Sequence, residues 1–108
     1  MLTQLKKGAL ELCVLAQLRD RDCYGYELVS AISEEIELTL GTIYPLLKRI
    51  NQIGYVETEI RESADGPARK YYRLTDAGRT ALSKNTDEWS DFTSKINKMI
   101  GVRDNEKK

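Results

Sequence analysis

The segment from Leu40 to Ile50 carries the side chains in this chain best suited to contact a polyanion. Two hydrogen-bonding groups, Thr42 and Tyr44, are followed by two cations, Lys48 and Arg49. Apolar residues recur here at three- and four-residue steps, so on a helix they form one buried stripe and leave the polar groups exposed. The stripe consists of Leu40, Ile43, Leu47 and Ile50. The spacing predicts an amphipathic helix with one face for a core and the other for nucleic acid.

The N-terminal end of this helix has two further features. Thr39 stands just before it, where a side chain can cap the free amides of the first turn, and such a helix start also attracts phosphate. Pro45 lies beyond the first turn, where it removes an amide and crowds the carbonyl of Gly41. We therefore expect a bend or a tightened first turn, with the N-terminus pointing into a DNA groove.

The charges of the chain are unevenly distributed. Formal net charge is zero, which argues against nucleic-acid binding if only the sum is considered. However, residues 38–56 contain cations and no acids, whereas residues 27–37 contain acids and no cations. Such a dipolar surface can attract phosphates to one face, although charges scattered in solvent remain the alternative.

A second basic element follows the first. Residues 55–61 alternate between apolar and polar positions, which predicts a half-buried strand. Its inward positions are Val56, Thr58 and Ile60. Asp65-Gly66 is a turn signal and residues 69–74 form the return strand, so we expect a hairpin with a longer loop. Arg69 and Lys70 on this hairpin would neutralise phosphates on a second element, as DNA binding requires.

The first predicted helix, residues 5–18, is apolar on more than one side. One stripe is Leu10, Val14, Leu15 and Leu18, and the other is Leu5, Ala9, Leu12 and Ala16. A helix that is apolar all round is normally buried on both sides. A domain of 108 residues covers only one side from its own core, so the other stripe predicts a second subunit.

A last helix, capped by Thr75-Asp76 and running to about Ile100, has apolar positions that follow a heptad. One series is Leu82, Trp89 and Ile96, and the other is Asn85, Phe92 and Met99. A seam that contains Trp and Phe needs another chain to cover it. The predicted dimer interface or ligand pocket consists of Leu5, Ala9, Leu12, Leu82, Asn85, Trp89, Phe92, Thr93 and Ile96.

Three motifs in this order resemble the PadR family of bacterial transcriptional regulators, over residues 5–98. They are Tyr24-Gly25-Tyr26-Glu27-Leu28, Gly41-Thr42-Ile43-Tyr44-Pro45-Leu46-Leu47 and Gly66-Pro67-Ala68-Arg69-Lys70-Tyr71-Tyr72-Arg73-Leu74-Thr75-Asp76-Ala77-Gly78-Arg79. The resemblance implies a homodimeric repressor of the short subfamily, with double-stranded operator DNA as its partner. The predicted DNA-binding residues are Thr39, Thr42, Tyr44, Pro45, Lys48, Arg49, Arg69 and Lys70.

The resemblance also assigns a role to Trp89. In some short family members, a tryptophan at the matching position lines a pore between subunits and stacks on flat hydrophobic ligands, so it implies a planar hydrophobic effector here. An aromatic interface anchor without a ligand is the alternative. Asn85 and Thr93 would be the polar lining, and neither carries a charge to orient an ionic ligand.

We therefore predict a mainly α protein with a β-hairpin. Residues 1–74 form a winged helix-turn-helix DNA-binding domain, residues 75–100 a C-terminal dimerisation helix and residues 101–108 a disordered tail. A winged helix used only for protein contact is the rival interpretation, and in either case Arg49 can instead neutralise an acid on a neighbouring element.

Several classes of protein are not expected. The chain has no apolar run of membrane-spanning length and no signal-peptide pattern, so we expect a cytoplasmic protein without a membrane partner. It has no histidine, no thiol paired with a base and no phosphate-binding loop, so we expect neither catalysis, nor a cofactor, nor metal ligation. Of the two cysteines, we expect Cys13 to be buried and Cys23, at a turn, to be partly exposed.

Overall fold

The computed structural model describes the backbone of residues 2–102 and the side chains of residues 6–102. Within that part of the chain there are four helices and three strands. In order they are α1 (Leu2–Gln17), β1 (Cys23–Tyr24), α2 (Gly25–Ser33), α3 (Leu40–Gln52), β2 (Val56–Ser63), β3 (Gly66–Leu74) and α4 (Asp76–Ile100). Helices α2 and α3 with the β2–β3 hairpin form the predicted winged helix-turn-helix, and α4 follows it.

The core lies between α1, α2, α3 and the sheet. From α1 it takes Leu10, Val14, Leu15 and Leu18, which is the stripe predicted to face inward. The other α1 stripe is half-buried at Ala9, Leu12 and Ala16, whereas the side chain of Leu5 lies outside the described residues. Each fully buried aliphatic side chain contributes about 1.5–3 kcal/mol to stability.

Helix α3 buries three of its four predicted stripe residues, namely Ile43, Leu47 and Ile50. The prediction for Leu40 is wrong, because that side chain is 36% exposed. Its neighbours in the first turn are also exposed, so this end of the helix projects past the packed elements. Gly54 follows the end of the helix. It has φ 89°, and the next amide, of Tyr55, donates to the Ile50 carbonyl at 2.9 Å.

The sheet has the strand order β1-β3-β2, with both pairs antiparallel. The short strand β1 was not predicted from the sequence, where Cys23 was taken as part of a turn. Cys23 lies opposite Tyr72 and is buried, whereas Cys13 is partly exposed, the reverse of the expectation. Burial raises the pKa of both thiols, so neither is activated as a thiolate.

The β2–β3 hairpin is longer and tighter than predicted. Strand β3 begins at Gly66 rather than at Arg69, and Ser63 pairs with Gly66 across a turn of two residues, with an irregularity between Arg61 and Ser63. Of the predicted inward positions only Val56 is buried, and Ile60 is 63% exposed. The expectation for Thr58 and Ile60 is wrong because the hairpin extends beyond the helices that could cover it.

Helix α4 is fixed to the domain at its N-terminal end. Thr75 caps it by accepting a hydrogen bond from the Gly78 amide at 3.0 Å, as predicted. A β-carbon on Gly78 would lie 2.1 Å from the Tyr55 carbonyl oxygen, so only glycine permits this close approach. Leu82 is buried in the core of the chain itself, which corrects its assignment to a dimer interface.

The two ends of the chain are described only in part. Residues 103–108 of the predicted tail lie outside the described residues. Among residues 2–102 no helix combines the length and the apolar character needed to cross a membrane.

Candidate nucleic-acid interface

The exposed face of α3 is the centre of the candidate interface. Thr42, Tyr44 and Lys48 are exposed, and the opposite face of the same helix is fully buried. None of the ion pairs within residues 6–102 involves Lys48. This helix therefore presents hydroxyl donors and an ammonium group to solvent from a rigidly packed support.

The start of α3 has the predicted tight turn but lacks the predicted side-chain cap. Thr39 occupies the N-cap position with an extended backbone, and its side chain makes no capping hydrogen bond. Its carbonyl accepts from the amides of both Thr42 and Ile43 at 3.1 Å, which tightens the first turn. The Thr39 hydroxyl lies 3.4 Å from the Thr42 hydroxyl instead. Because no side chain caps the helix, the amides of Leu40 and Gly41 at its start keep their capacity to bind an anion.

Tyr44 is held by contact with the start of α2. Its hydroxyl oxygen lies 2.9 Å, and the nearest ring carbon 3.0 Å, from the place that a β-carbon on Gly25 would occupy. Gly25 is therefore the residue that lets the Tyr44 ring lie against α2 while about half of the side chain stays exposed. This role was not predicted from the sequence, where the only signal for it is a glycine at the start of an amphipathic helix. Pro45, one residue further on, is exposed.

Arg49 takes part in an ion pair rather than standing free. Its guanidinium donates to the carboxylate of Glu11, so α3 is joined to α1. Of the two interpretations of Arg49, the geometry supports neutralisation of an acid on a neighbouring element.

The two predicted cations of the wing point to opposite faces of β3. The Arg69 guanidinium lies over the ring of Tyr24, 4.6 Å from its centroid, which is a cation–π geometry. Lys70 is exposed and lies opposite Ile60 on the other face. The two therefore cannot act as one basic patch, and Lys70 is the freer of the pair.

The outer face of the sheet carries a charged cluster that the sequence analysis did not identify. It consists of Asp22, Glu57, Glu59, Arg61 and Arg73. Partial burial raises the pKa of the Asp22 carboxyl, but hydrogen bonds from Arg61 and Arg73 outweigh this and bring the pKa below its ordinary value. Asp22 is therefore charged at neutral pH and holds both arginines.

An open groove of about 690 Å³ runs between α1 and the middle of α4. Its lining residues are Gly8, Glu11, Leu12, Arg49, Asn85, Glu88, Trp89, Asp91, Phe92 and Lys95. Trp89 is 38% and Phe92 54% exposed. Although neither Asn85 nor Thr93 is charged, the groove is also lined by three carboxylates, of which Glu11 is paired with Arg49 and Asp91 with Lys95.

Four residues of the predicted interface or pocket do not line this groove, namely Ala9, Leu82, Thr93 and Ile96. The Thr93 hydroxyl donates to the carbonyl of Trp89 in its own helix at 2.9 Å, so it is not directed into the groove. Ile96 is half-buried and lies beyond the groove. The structure thus brings Leu12, Asn85, Trp89 and Phe92 together and leaves the other four apart.

The comparisons with known proteins agree with this architecture. The PadR-like transcriptional regulator family matches residues 14–84. A transcriptional regulator of Mycobacterium tuberculosis is 34% identical over 82 residues, which cover 75% of this chain and 76% of that protein.

Solved structures are similar over almost the whole chain. A PadR family transcriptional regulator of Eggerthella lenta is 32% identical with a TM-score of 0.83, covering 95% of this chain and 91% of that one. A PadR-like transcriptional regulator of Bacillus cereus is 32% identical with a TM-score of 0.81, covering 93% and 99%. The chain therefore belongs to the PadR-like family of transcriptional regulators.

Proposed function

We propose that this protein is a homodimeric repressor that binds a pseudo-palindromic operator in double-stranded DNA. Two copies of α3 enter successive major grooves, and the wings contact the flanking phosphates. The observation that carries the proposal is the exposed face of α3, with hydroxyl groups and an ammonium group but no acid, on a helix whose other face is fully buried. A regulator of this kind works beside the chromosome, so the proposal implies a cytoplasmic protein.

The proposed contacts between α3 and DNA are of different chemical kinds. Thr42 can donate to a base edge or touch a thymine methyl group, and Lys48 can reach guanine or a phosphate. Tyr44 offers its hydroxyl from a ring fixed against Gly25. Lys70 adds a phosphate contact from the wing, and the uncapped first turn of α3 adds another.

The proposed dimer rests on the surface that one chain leaves uncovered. Trp89 and Phe92 stand out from α4, and Ala9 and Leu12 of α1 are half-buried beside them. Exposed aromatic side chains next to a second apolar stripe are typical of a subunit interface. A small domain also gains stability from association.

The proposed effector is a planar hydrophobic compound that inserts at the groove beside Trp89. Aromatic rings provide area and stacking at low entropy loss. Glu88 on the same wall would favour a ligand that also carries positive charge, whereas Asp91 is paired with Lys95. Such a compound relieves repression only if it binds more tightly to a dimer whose two α3 helices are spaced differently from those of the DNA-bound dimer.

Retardation of DNA tests the proposal. The protein is expected to retard a fragment of its own promoter region at concentrations that leave an unrelated duplex free. Lys48→Ala should weaken this binding by about tenfold, in line with the loss of one or more direct contacts in each subunit. Lys84→Ala, an exposed lysine on α4, is the matched control and should change it little. A protein that retards neither duplex would instead support the rival protein-contact module.

A further inference from the structure

The wing of this protein carries four cations, and two of them are held in ion pairs. Four basic residues, Arg61, Arg69, Lys70 and Arg73, lie on β2 and β3. Binding to DNA of any sequence is driven by neutralisation of phosphates, so each free cation raises affinity for the whole genome as well as for the operator. Such a wing needs a means of limiting non-specific binding.

We propose that Asp22 is a specificity-determining residue, which withholds Arg61 and Arg73 from DNA phosphates and so limits binding to unrelated sequences. This inference rests on the proposed function, because it assumes that the wing lies beside DNA. It assigns a role to a carboxylate in the loop between α1 and β1, outside the DNA-facing elements.

The geometry makes Asp22 the acceptor from outside the hairpin that both arginines share. Its Oδ2 atom accepts from Nη2 of Arg61 and from Nε and Nη2 of Arg73, the last two at 3.2 and 3.0 Å. Because Asp22 comes from outside the hairpin, it also ties both wing strands to the body of the domain.

The two glutamates of the cluster play a secondary part. Glu59 accepts from Arg61 at 2.9 Å and from Arg73 at 3.2 Å, and Glu57 lies 3.6 Å from Arg73. Their side chains are 52% and 59% exposed, whereas that of Asp22 is 24% exposed. Exposed ion pairs contribute little to stability and are screened by salt. Asp22, which is less exposed, therefore holds the arginines more strongly than either glutamate.

Aromatic rings complete the restraint on one of these arginines. The Arg61 guanidinium lies 4.2 Å from the centroid of the Tyr71 ring, and that ring packs edge-on against Tyr24 at 5.3 Å. The same face also carries Arg69, so three carboxylates stand against three guanidinium groups and the formal charges of this face balance. This face therefore attracts DNA phosphates less than the opposite face, which carries Lys70.

Substitution of Asp22 should therefore increase the affinity for DNA, which a loss of structure would not do. Asp22→Asn keeps the side-chain volume but removes the charge that holds the two arginines. The affinity for an unrelated duplex at low salt is expected to rise about fivefold or more. The slope of log affinity against log salt should become steeper by about 1 to 3, because each added phosphate contact contributes about −0.9. A merely structural Asp22 would lower the melting temperature and raise no affinity.

Asp20→Asn is the matched control, since it makes the same charge change two residues away at an exposed position. Both variants and the wild type are measured as full-length protein against the promoter fragment and an unrelated duplex of equal length. If Asp22→Asn raises non-specific affinity no more than Asp20→Asn does, the inference is overturned.

Arg73→Gln provides a second test that does not depend on the folding of the Asp22 variant. In the wild-type background it should leave the salt slope unchanged, because Arg73 is already withheld from DNA. In the Asp22→Asn background it should bring the slope back toward the wild-type value. A shallower slope for Arg73→Gln alone would show that Arg73 contacts phosphate in the wild type and would overturn the inference. Wild-type protein that binds neither duplex would overturn the proposed function as well.

Discussion

The two halves of α4 differ in what covers them. Its first turns lie against the winged domain, where Gly78 touches the Tyr55 carbonyl and Ala81 and Leu82 are buried. Its second half exposes Trp89 and Phe92 beside an open groove. Both halves have apolar residues at helical spacing, so the sequence pattern alone does not distinguish them.

The difference shows which apolar surfaces one chain covers by itself and which it leaves exposed. The winged domain closes a core from α1 to the start of α4 without help. The second half of α4 carries aromatic side chains of the kind found in protein interiors, but these side chains are exposed. The first region should therefore control whether the chain folds, and the second whether two chains associate.

The largest expected effect concerns the closed core. Leu47→Ala should lower the free energy of unfolding by about 2–5 kcal/mol, because it leaves a cavity at a fully buried position. Leu40→Ala, on the exposed first turn of the same helix, should cost much less. Urea unfolding of both variants measures the contrast, and equal losses would show that the first turn of α3 is covered after all.

The next effect concerns the open half of α4. Trp89→Ala should raise the dissociation constant of the dimer by about tenfold or more, as aromatic anchors at interfaces do. At concentrations where only the monomer is present, it should leave the melting temperature nearly unchanged. Sedimentation at several concentrations provides the measurement, with Asp87→Ala on another side of the helix as control. An unchanged dimer would mean that this face is not the interface.

A smaller effect is expected where α2 meets the DNA-facing surface. Gly25→Ala should weaken operator binding by about three- to tenfold, a loss comparable to that of a single contact, because the added methyl group displaces the Tyr44 ring. The melting temperature should change little, since a tyrosine side chain can move aside. Tyr44→Phe, which removes the hydroxyl offered to DNA, should by itself weaken operator binding to a similar extent, and adding it to Gly25→Ala should cause little further loss. If Gly25→Ala binds the operator as well as wild type, the position of the Tyr44 ring does not matter for binding.

The smallest effect is the pH dependence of the Asp22 cluster, whose partners are largely exposed. Since the pKa of Asp22 is lowered in the folded protein, its contribution to stability is fully present above the unfolded pKa of about 3.9. It is lost as the pH falls through the folded value. The stability difference between wild type and Asp22→Asn should accordingly be larger at pH 7 than at pH 3. A difference that grows on acidification would contradict this account.

The local sequence pattern was sufficient to predict α1, α3, α4, the hairpin and the Thr75 cap, because each depends on residues close together in the chain. It did not predict β1, since two residues carry no period, and their pairing with β3 brings together positions about fifty residues apart in the chain. The Asp22 cluster and the Gly25–Tyr44 contact were missed for the same reason. Leu82 and Trp89 share one heptad series, and only the tertiary arrangement separates the buried residue from the exposed one.

The most direct test of the central claim is the salt dependence of promoter binding by the wild-type protein. If the dimer neutralises about six phosphates through Lys48, Lys70 and the start of α3, the slope of log affinity against log salt should be near −5. Fluorescence anisotropy of a labelled promoter fragment over a series of salt concentrations gives this slope. A slope shallower than about −1 would contradict a DNA-binding surface built from both α3 and the wing.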